Sequence, residues 1–328
     1  MNLPHGSRLY LVCLHLAIGA SIWGYNIGIL SSILVHPGWR EALHSPTPTQ
    51  KGSVTGLYYF GTLVSYLFVS HPLADKLGRR YAALIGTGIL SLGALIMASA
   101  VGDSSVSIMV FGRIVCGLGV GIVSTGVPLY QSEVSPAQKR GKFVTMNHVG
   151  FVAGLASGLW AGYFVTFWKS EIGHFWGWRV LILMQLIPAF IFGSGLPYMP
   201  ETPRWLVEKG HTDKARQVLV WLRESLSEDI SDELHAITRD VQRYHSKHKA
   251  STLQLSLALF RDTALFARVW RSFLLQFMGQ MCGATAMKYY LPTLLKALGV
   301  NTRLALMAGA IEMTIKIGMT ILEMYFID

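Results

Sequence analysis

Gln276 and Gln280 lie four residues apart, so they project from one helix face. Each side-chain amide donates and accepts hydrogen bonds without carrying charge. Such a pair suits a neutral solute rich in hydroxyls, and bonding to neighbouring helices is the plainer use. His148 offers one donor and one acceptor and titrates near neutral pH; a buried structural histidine is the alternative. Asn26, in Trp23-Gly-Tyr-Asn-Ile-Gly, cannot release a proton in this range. Arg113 interrupts an apolar run and is too costly to leave facing lipid, so it should point into a helix bundle. Glu312 and Lys316 are one helical turn apart and can partly neutralise each other, with Glu323 further on. Proton coupling through Glu312 is the sharper alternative. Lys288 fits either an interface anchor or a cavity wall. The apolar runs hold no metal-ligand cluster and no nucleophile–base spacing. An enzyme is not expected, and neither is a cofactor or metal.

The elements that must position these residues are long apolar helices. Hydrophobic residues make up 52% of the 328 and charged ones 14%, against about 25% charged in soluble domains. Hydropathy predicts an all-helical membrane bundle of eight spans, at about 9–34, 51–72, 81–101, 107–130, 143–167, 178–198, 269–296 and 303–327. Three units follow: a six-helix half (1–198), a polar linker (199–268) and two further spans (269–328). The net charge of +10 could suggest nucleic acid. Basic residues instead fall in alternate short loops, at Arg8, at Lys76/Arg79/Arg80 and at Lys139/Arg140/Lys142, which is the positive-inside pattern. The expected partner is therefore the lipid bilayer, with both termini and the linker in the cytosol. The first apolar run is too long for a cleavable signal peptide. Cys13, Cys116 and Cys282 all fall in apolar segments and read as buried thiols.

Within the linker, Thr202 reads as an N-cap, Pro203 as the first helical position and Gly210 as the stop. A second helix is expected over about 213–226, and a third with Leu234, Ile237, Val241 and Tyr244 on one face. In the fifth span, Gly150, Gly154, Gly158 and Gly162 give a face without side chains, which lets a neighbouring backbone approach closely. The fourth span carries a similar run at Gly117, Gly119 and Gly121. No strand precedes that run, so a dinucleotide loop is not expected.

Two junctions concentrate charge and turn formers: Asp75-Lys-Leu-Gly-Arg-Arg80, and Pro128 to Gly141 with Glu133, Pro136 and Arg140. With Arg113 and its following glycines, Pro200-Glu-Thr-Pro-Arg-Trp-Leu206, and Gln276, Gln280, Gly283, Tyr289 and Tyr290, these motifs occur in the order and at the spans of one family. The chain resembles the sugar porters of the major facilitator superfamily, most like a fungal member. The resemblance implies two six-helix halves with a sugar or polyol bound between them, residence in the plasma membrane, and about four further helices beyond Asp328.

The resemblance also implies roles for residues. Gln276, Gln280, His148, Thr285, Tyr289 and Asn26 would contact substrate, His148 where a glutamine is usual. Gly279 and Thr285 replace the usual glutamine and asparagine, which leaves pentose, hexose, polyol and disaccharide open. Asp75, Arg79, Arg80, Arg113, Glu133, Arg140, Glu201 and Arg204 would form a gating network of ion pairs. As exposed pairs these are individually weak, on the order of 0–1 kcal/mol. Proton-coupled relatives commonly hold an aspartate where Asn26 stands. Facilitated diffusion is thus the simplest expectation, and protons are a possible second partner. A sensor on the same scaffold would normally add a long cytoplasmic tail.

Overall fold

The computed structural model describes residues 7–223, 228–247 and 261–327, with backbone alone at 228, 229, 244–247 and 284. Every regular element among them is helical. Long helices run over Ser7–Val35 (α1), Arg79–Ala98 (α5), Ser105–Val134 (α6), Arg140–Val165 (α7) and Thr302–Phe326 (α15). Between α1 and α5 lie a short helix, Pro37–Ala42 (α2), and a longer one, Pro48–Val64 (α3), which passes through a π-helical turn into Ser70–Leu77 (α4). The chain after α7 forms Glu171–Met184 (α8) and Leu186–Gly195 (α9). Pro188 cannot donate to the carbonyl one turn earlier, which accounts for the interruption at Gln185.

Six of the eight expected spans are long and apolar enough to cross a membrane by themselves. The second, α3 with its π turn and α4, is not among them. The seventh requires correction. In place of one helix over 269–296, the chain forms Thr263–Met281 (α13) and Ala284–Ala297 (α14), broken where Gly283 takes φ +71°. That left-handed conformation suits glycine and ends a helix. Cys282 lies at this break and is exposed, not buried as expected, whereas Cys13 and Cys116 are buried.

The core sits where α1 is enclosed by its neighbours, and α1 is the most buried of the spanning helices. The glycine face of α7 meets it backbone to backbone. A Cβ on Gly154 would collide with the carbonyl of Ser21, and one on Gly24 with that of Phe151. On the other side α6 is held between α3 and α5. Gly117 lies against the Tyr58 carbonyl and Gly119 against the backbone of α5. Polar side chains mid-bundle can therefore meet across short gaps.

The linker folds as expected. Pro203–Glu208 (α10) is capped by Thr202, whose hydroxyl accepts from the Trp205 N–H at 3.4 Å, and Gly210 beyond it takes φ +80°. Thr212–Arg223 (α11) and Glu228–Lys247 (α12) complete the group. Leu234, Ile237 and Val241 pack against Leu206, Val207 and Ala215. Leu226 lies outside the described residues, as does the Tyr244 side chain. In α13 no residue is buried, whereas α14 contacts α1, and α15 lies along α7.

Candidate functional site

Three groups of polar side chains occupy the bundle. The first is fully enclosed. Arg113, 1% exposed, donates through Nη1 to Asn26 Oδ1 at 2.7 Å and through Nε to the Val54 carbonyl at 3.1 Å, with its guanidinium 4.3 Å from the Tyr58 ring. Asn26 Nδ2 donates to Gln185 Oε1 at 2.9 Å and to Cys116 Sγ at 3.1 Å. Arg113 thus points inward as expected. Asn26, expected against substrate, is committed to this cluster and fully buried. An amide succeeds at the position because it accepts from the arginine with one atom and donates with the other, using both directions.

Tyr289 on α14 is brought to this cluster's rim, where it accepts from the Tyr59 hydroxyl at 3.1 Å. The Tyr290 hydroxyl donates to Thr55 Oγ1 at 3.3 Å, Trp160 Nε1 to Thr314 Oγ1 at 3.1 Å and Arg303 to the Thr166 carbonyl at 3.2 Å. These bonds tie α14 and α15 to the first six spans without an ion pair.

The second group is open. His148 Nδ1 on α7 lies 3.8 Å from Glu323 Oε2 on α15, with side chains 45% and 54% exposed. The imidazole stacks near Phe151, whose ring also packs against Trp23 and beneath Lys288 Nζ at 5.7 Å. Together Trp23, His148, Phe151 and Lys288 form a wall of side chains. Glu312 and Lys316 form no direct pair with each other; their charges face Lys288. Gln276 and Gln280 are not brought here. They stand exposed on α13, where Gln280 Oε1 accepts from Thr285 Oγ1 at 2.8 Å across the helix break. No packing surface among the described residues holds α13 against this wall.

The third group lies at the end of the bundle that carries α10 to α12. Gly78, at φ +95°, turns the chain between α4 and α5 and leaves room for the Glu201 carboxylate, which a Cβ would strike. Glu201 then accepts from the backbone N–H groups of Arg79 at 3.0 Å, Arg80 at 3.2 Å and Thr202 at 3.1 Å. Burial pushes its carboxyl above the usual range, while those N–H groups and the Arg80 guanidinium pull the other way. Arg79 Nη2 meets Glu133 Oε1 at 3.1 Å with both side chains 6% exposed, and Nη1 lies 3.7 Å from the exposed Asp75. The expectation of weak surface pairs fails for Arg79–Glu133. A buried pair that loses one partner strands a charge, at a cost of about 3–5 kcal/mol.

Arg80 donates to the carbonyls of Met199 at 2.8 Å and Pro197 at 3.3 Å, and the Tyr130 hydroxyl donates to that of Pro200. Arg140 and Arg204 are exposed and, among the described residues, join no ion pair of the network. Among the described residues its partners lie on the first six spans and the segment around α10, so it clamps that half to the linker.

Sequence reading missed Gln185, Cys116, Tyr58, Tyr59, Trp23 and Phe151. A signal existed for Gln185, a lone amide in an apolar span whose only sound use is a buried partner. The aromatic residues carry no such mark.

Comparison with known proteins agrees with this architecture. The chain is 29% identical over 94% of its length to the MFS-type transporter oryC of Aspergillus oryzae, covering 57% of that protein. It is 31% identical over 95% of its length to the probable inositol transporter 2 of Arabidopsis thaliana, covering 52% of that one. The chain thus spans little more than half the length of either relative. In fold it is similar to the proton:xylose symporter XylE, with a TM-score of 0.85 at 21% identity, covering 99% of this chain and 70% of that one. A model of the sugar (and other) transporter family matches residues 12–328, and the chain, an all-helical bundle of major facilitator type, belongs to that family.

Proposed function

We propose that these helices serve a transporter that moves a neutral sugar or polyol across the bilayer by facilitated diffusion, through alternating access. The observation that carries the reading is the Asn26–Arg113 contact at 2.7 Å. A proton-driven cycle needs a group whose charge changes, and the group facing this arginine is an amide. Solute would pass along the wall formed by Trp23, His148, Phe151 and Lys288, with Gln276, Gln280 and Thr285 reaching it when α13 rests against the bundle. The α10–α12 end faces the cytosol of a plasma-membrane transporter, and the Arg79–Glu133–Glu201 clamp keeps the first half rigid while it rocks.

The test is uptake of radiolabelled sugars and polyols into sealed vesicles, with and without an uncoupler. Equilibration that survives the uncoupler supports the proposal. Accumulation above the external concentration that the uncoupler abolishes would sink it. Orientation has its own test: a thiol placed at Ser231 should be labelled only after permeabilisation, and labelling in intact cells contradicts the topology.

A second reading has a specific observation behind it. His148 and Glu323 face each other across α7 and α15, and a proton on the imidazole would turn that contact into an ion pair. In that case the uncoupler effect appears in the parent protein and disappears in His148→Gln.

A further inference from the structure

At the end of the bundle opposite α10 to α12, a cavity of about 540 Å³ opens between the ends of α1, α7, α8 and α15. Its size falls in the range of small-molecule sites, about 300–1,000 Å³. Its charge is one-sided. Lys169, Lys296 and Arg303 line it from three different segments, and no carboxylate does. Glu41 meets Nε2 of the lining residue His174 at 2.6 Å, and it lines a separate pocket together with Glu171. The N-terminal turns of α8 and α15 also border the space, through Ser170, Gly173, Asn301 and Thr302, adding the positive ends of two long helices.

Two buried polar atoms in the wall lack partners. Ser32, 2% exposed, has a hydroxyl without a hydrogen bond, and the Nδ1 of His36 is likewise unpaired. Both atoms are sealed within the packing, the Ser32 hydroxyl against Gly162, so they brace the wall and do not face the space. Three cations around one space of this size match a small oxyanion. Arg303 stays available because one Nη alone is engaged, with the Thr166 carbonyl, while the guanidinium plane rests on Phe167 at 4.4 Å.

We propose that this cavity binds a small oxyanion, a carboxylate or phosphate carried on a polyol-sized body, at a site separate from the neutral-solute wall. The oxyanion would lie among Lys169, Lys296 and Arg303. The same chemistry is offered by a free sugar acid and by an anionic lipid headgroup at the membrane surface.

The experiment is calorimetric titration of the purified chain with D-gluconate, with inorganic phosphate, and with D-glucose as the neutral control. Saturable binding of either anion is expected, with glucose failing to compete. Lys169→Gln and Lys296→Gln, both at exposed positions that leave the fold intact, should each weaken it about tenfold, the loss of one charge-assisted contact. Repeating the titration in nanodiscs separates the sources. Binding unchanged between phosphatidylcholine and phosphatidylglycerol discs assigns a soluble anion, and loss confined to phosphatidylglycerol assigns the headgroup. Absence of saturable anion binding overturns the proposal, as does equal binding of glucose or indifference to both lysine substitutions.

Discussion

The clusters around Arg113 and His148 both place polar groups inside an apolar bundle, yet they solve opposite problems. Arg113 is sealed. Asn26 and the Val54 carbonyl accept from it, Tyr58 covers its face, and Gln185 fixes the amide from behind. His148 has one charged neighbour at 3.8 Å, and both side chains remain half open. A buried charge is tolerated only where fixed partners replace water, so the sealed cluster must stay together through any cycle. The open one is not bound to a fixed set of partners. Rigidity and adjustability are thus divided between two sites, where an aspartate facing Arg113 would have combined them.

The contrast breaks most sharply at Asn26. Asn26→Leu leaves Arg113 Nη1 and Gln185 Oε1 without partners, and roughly 3 kcal/mol or more of stability should be lost. Thermal inactivation in detergent, followed by size exclusion, reads this directly. Asn26→Asp keeps an acceptor for the guanidinium, so it should fold at neutral pH. If the aspartate variant proves as damaged as the leucine variant, the arginine does not depend on this contact.

Gly154 joins the two clusters, because it seats α7 against Ser21 of α1. Gly154→Val forces the helices apart, and overpacking of this kind costs about 1–3 kcal/mol. A variant with unchanged thermal stability would show that the close approach is dispensable.

His36 extends the comparison to a group outside the membrane spans. Burial, and then the neighbouring His174, push its imidazole down from 6.5 to about 4. Its folded value lies below its unfolded one, so on acidification the unfolded chain takes up the proton first. Stability present above about pH 6.5 is therefore lost progressively as pH falls toward 4. His36→Asn should flatten melting temperature against pH in that window. A curve of unchanged slope assigns the acid sensitivity elsewhere.

The smallest structural effect is expected at His148. Half-exposed and singly partnered, its replacement by glutamine should change stability by no more than about 0.5 kcal/mol. A large loss of stability would place His148 with the sealed cluster.

Much of the fold was legible because lipid imposes a simple rule. A span needs a long apolar helix, and the residues that break the run stand out against it. The glycine face of α7 and the apolar stripe of α12 followed from spacing, the inward turn of Arg113 from its charge, and the Thr202 cap from residue type. The site was less legible. Gln276 and Gln280 share a helix face as expected, but a shared face does not say which surface it meets, and no residue of α13 is buried. Arg140 and Arg204 sit in the same motifs as Glu133 and Glu201, yet only the latter reach the clamp. Motif membership cannot distinguish a side chain turned inward from one turned to solvent.

The sequence by itself determined the helical membrane class, the family and the loss of an ionisable group facing Arg113. Composition, periodicity and one residue's chemistry are local properties. Tertiary structure decided which groups are sealed and which are open. It put Gln185 and Cys116 behind Asn26, set His148 beside Glu323, and buried Arg79–Glu133 while leaving Asp75 wet. Burial and partner choice depend on how helices far apart in the chain approach one another, and that approach is set by contacts such as Gly154 against Ser21.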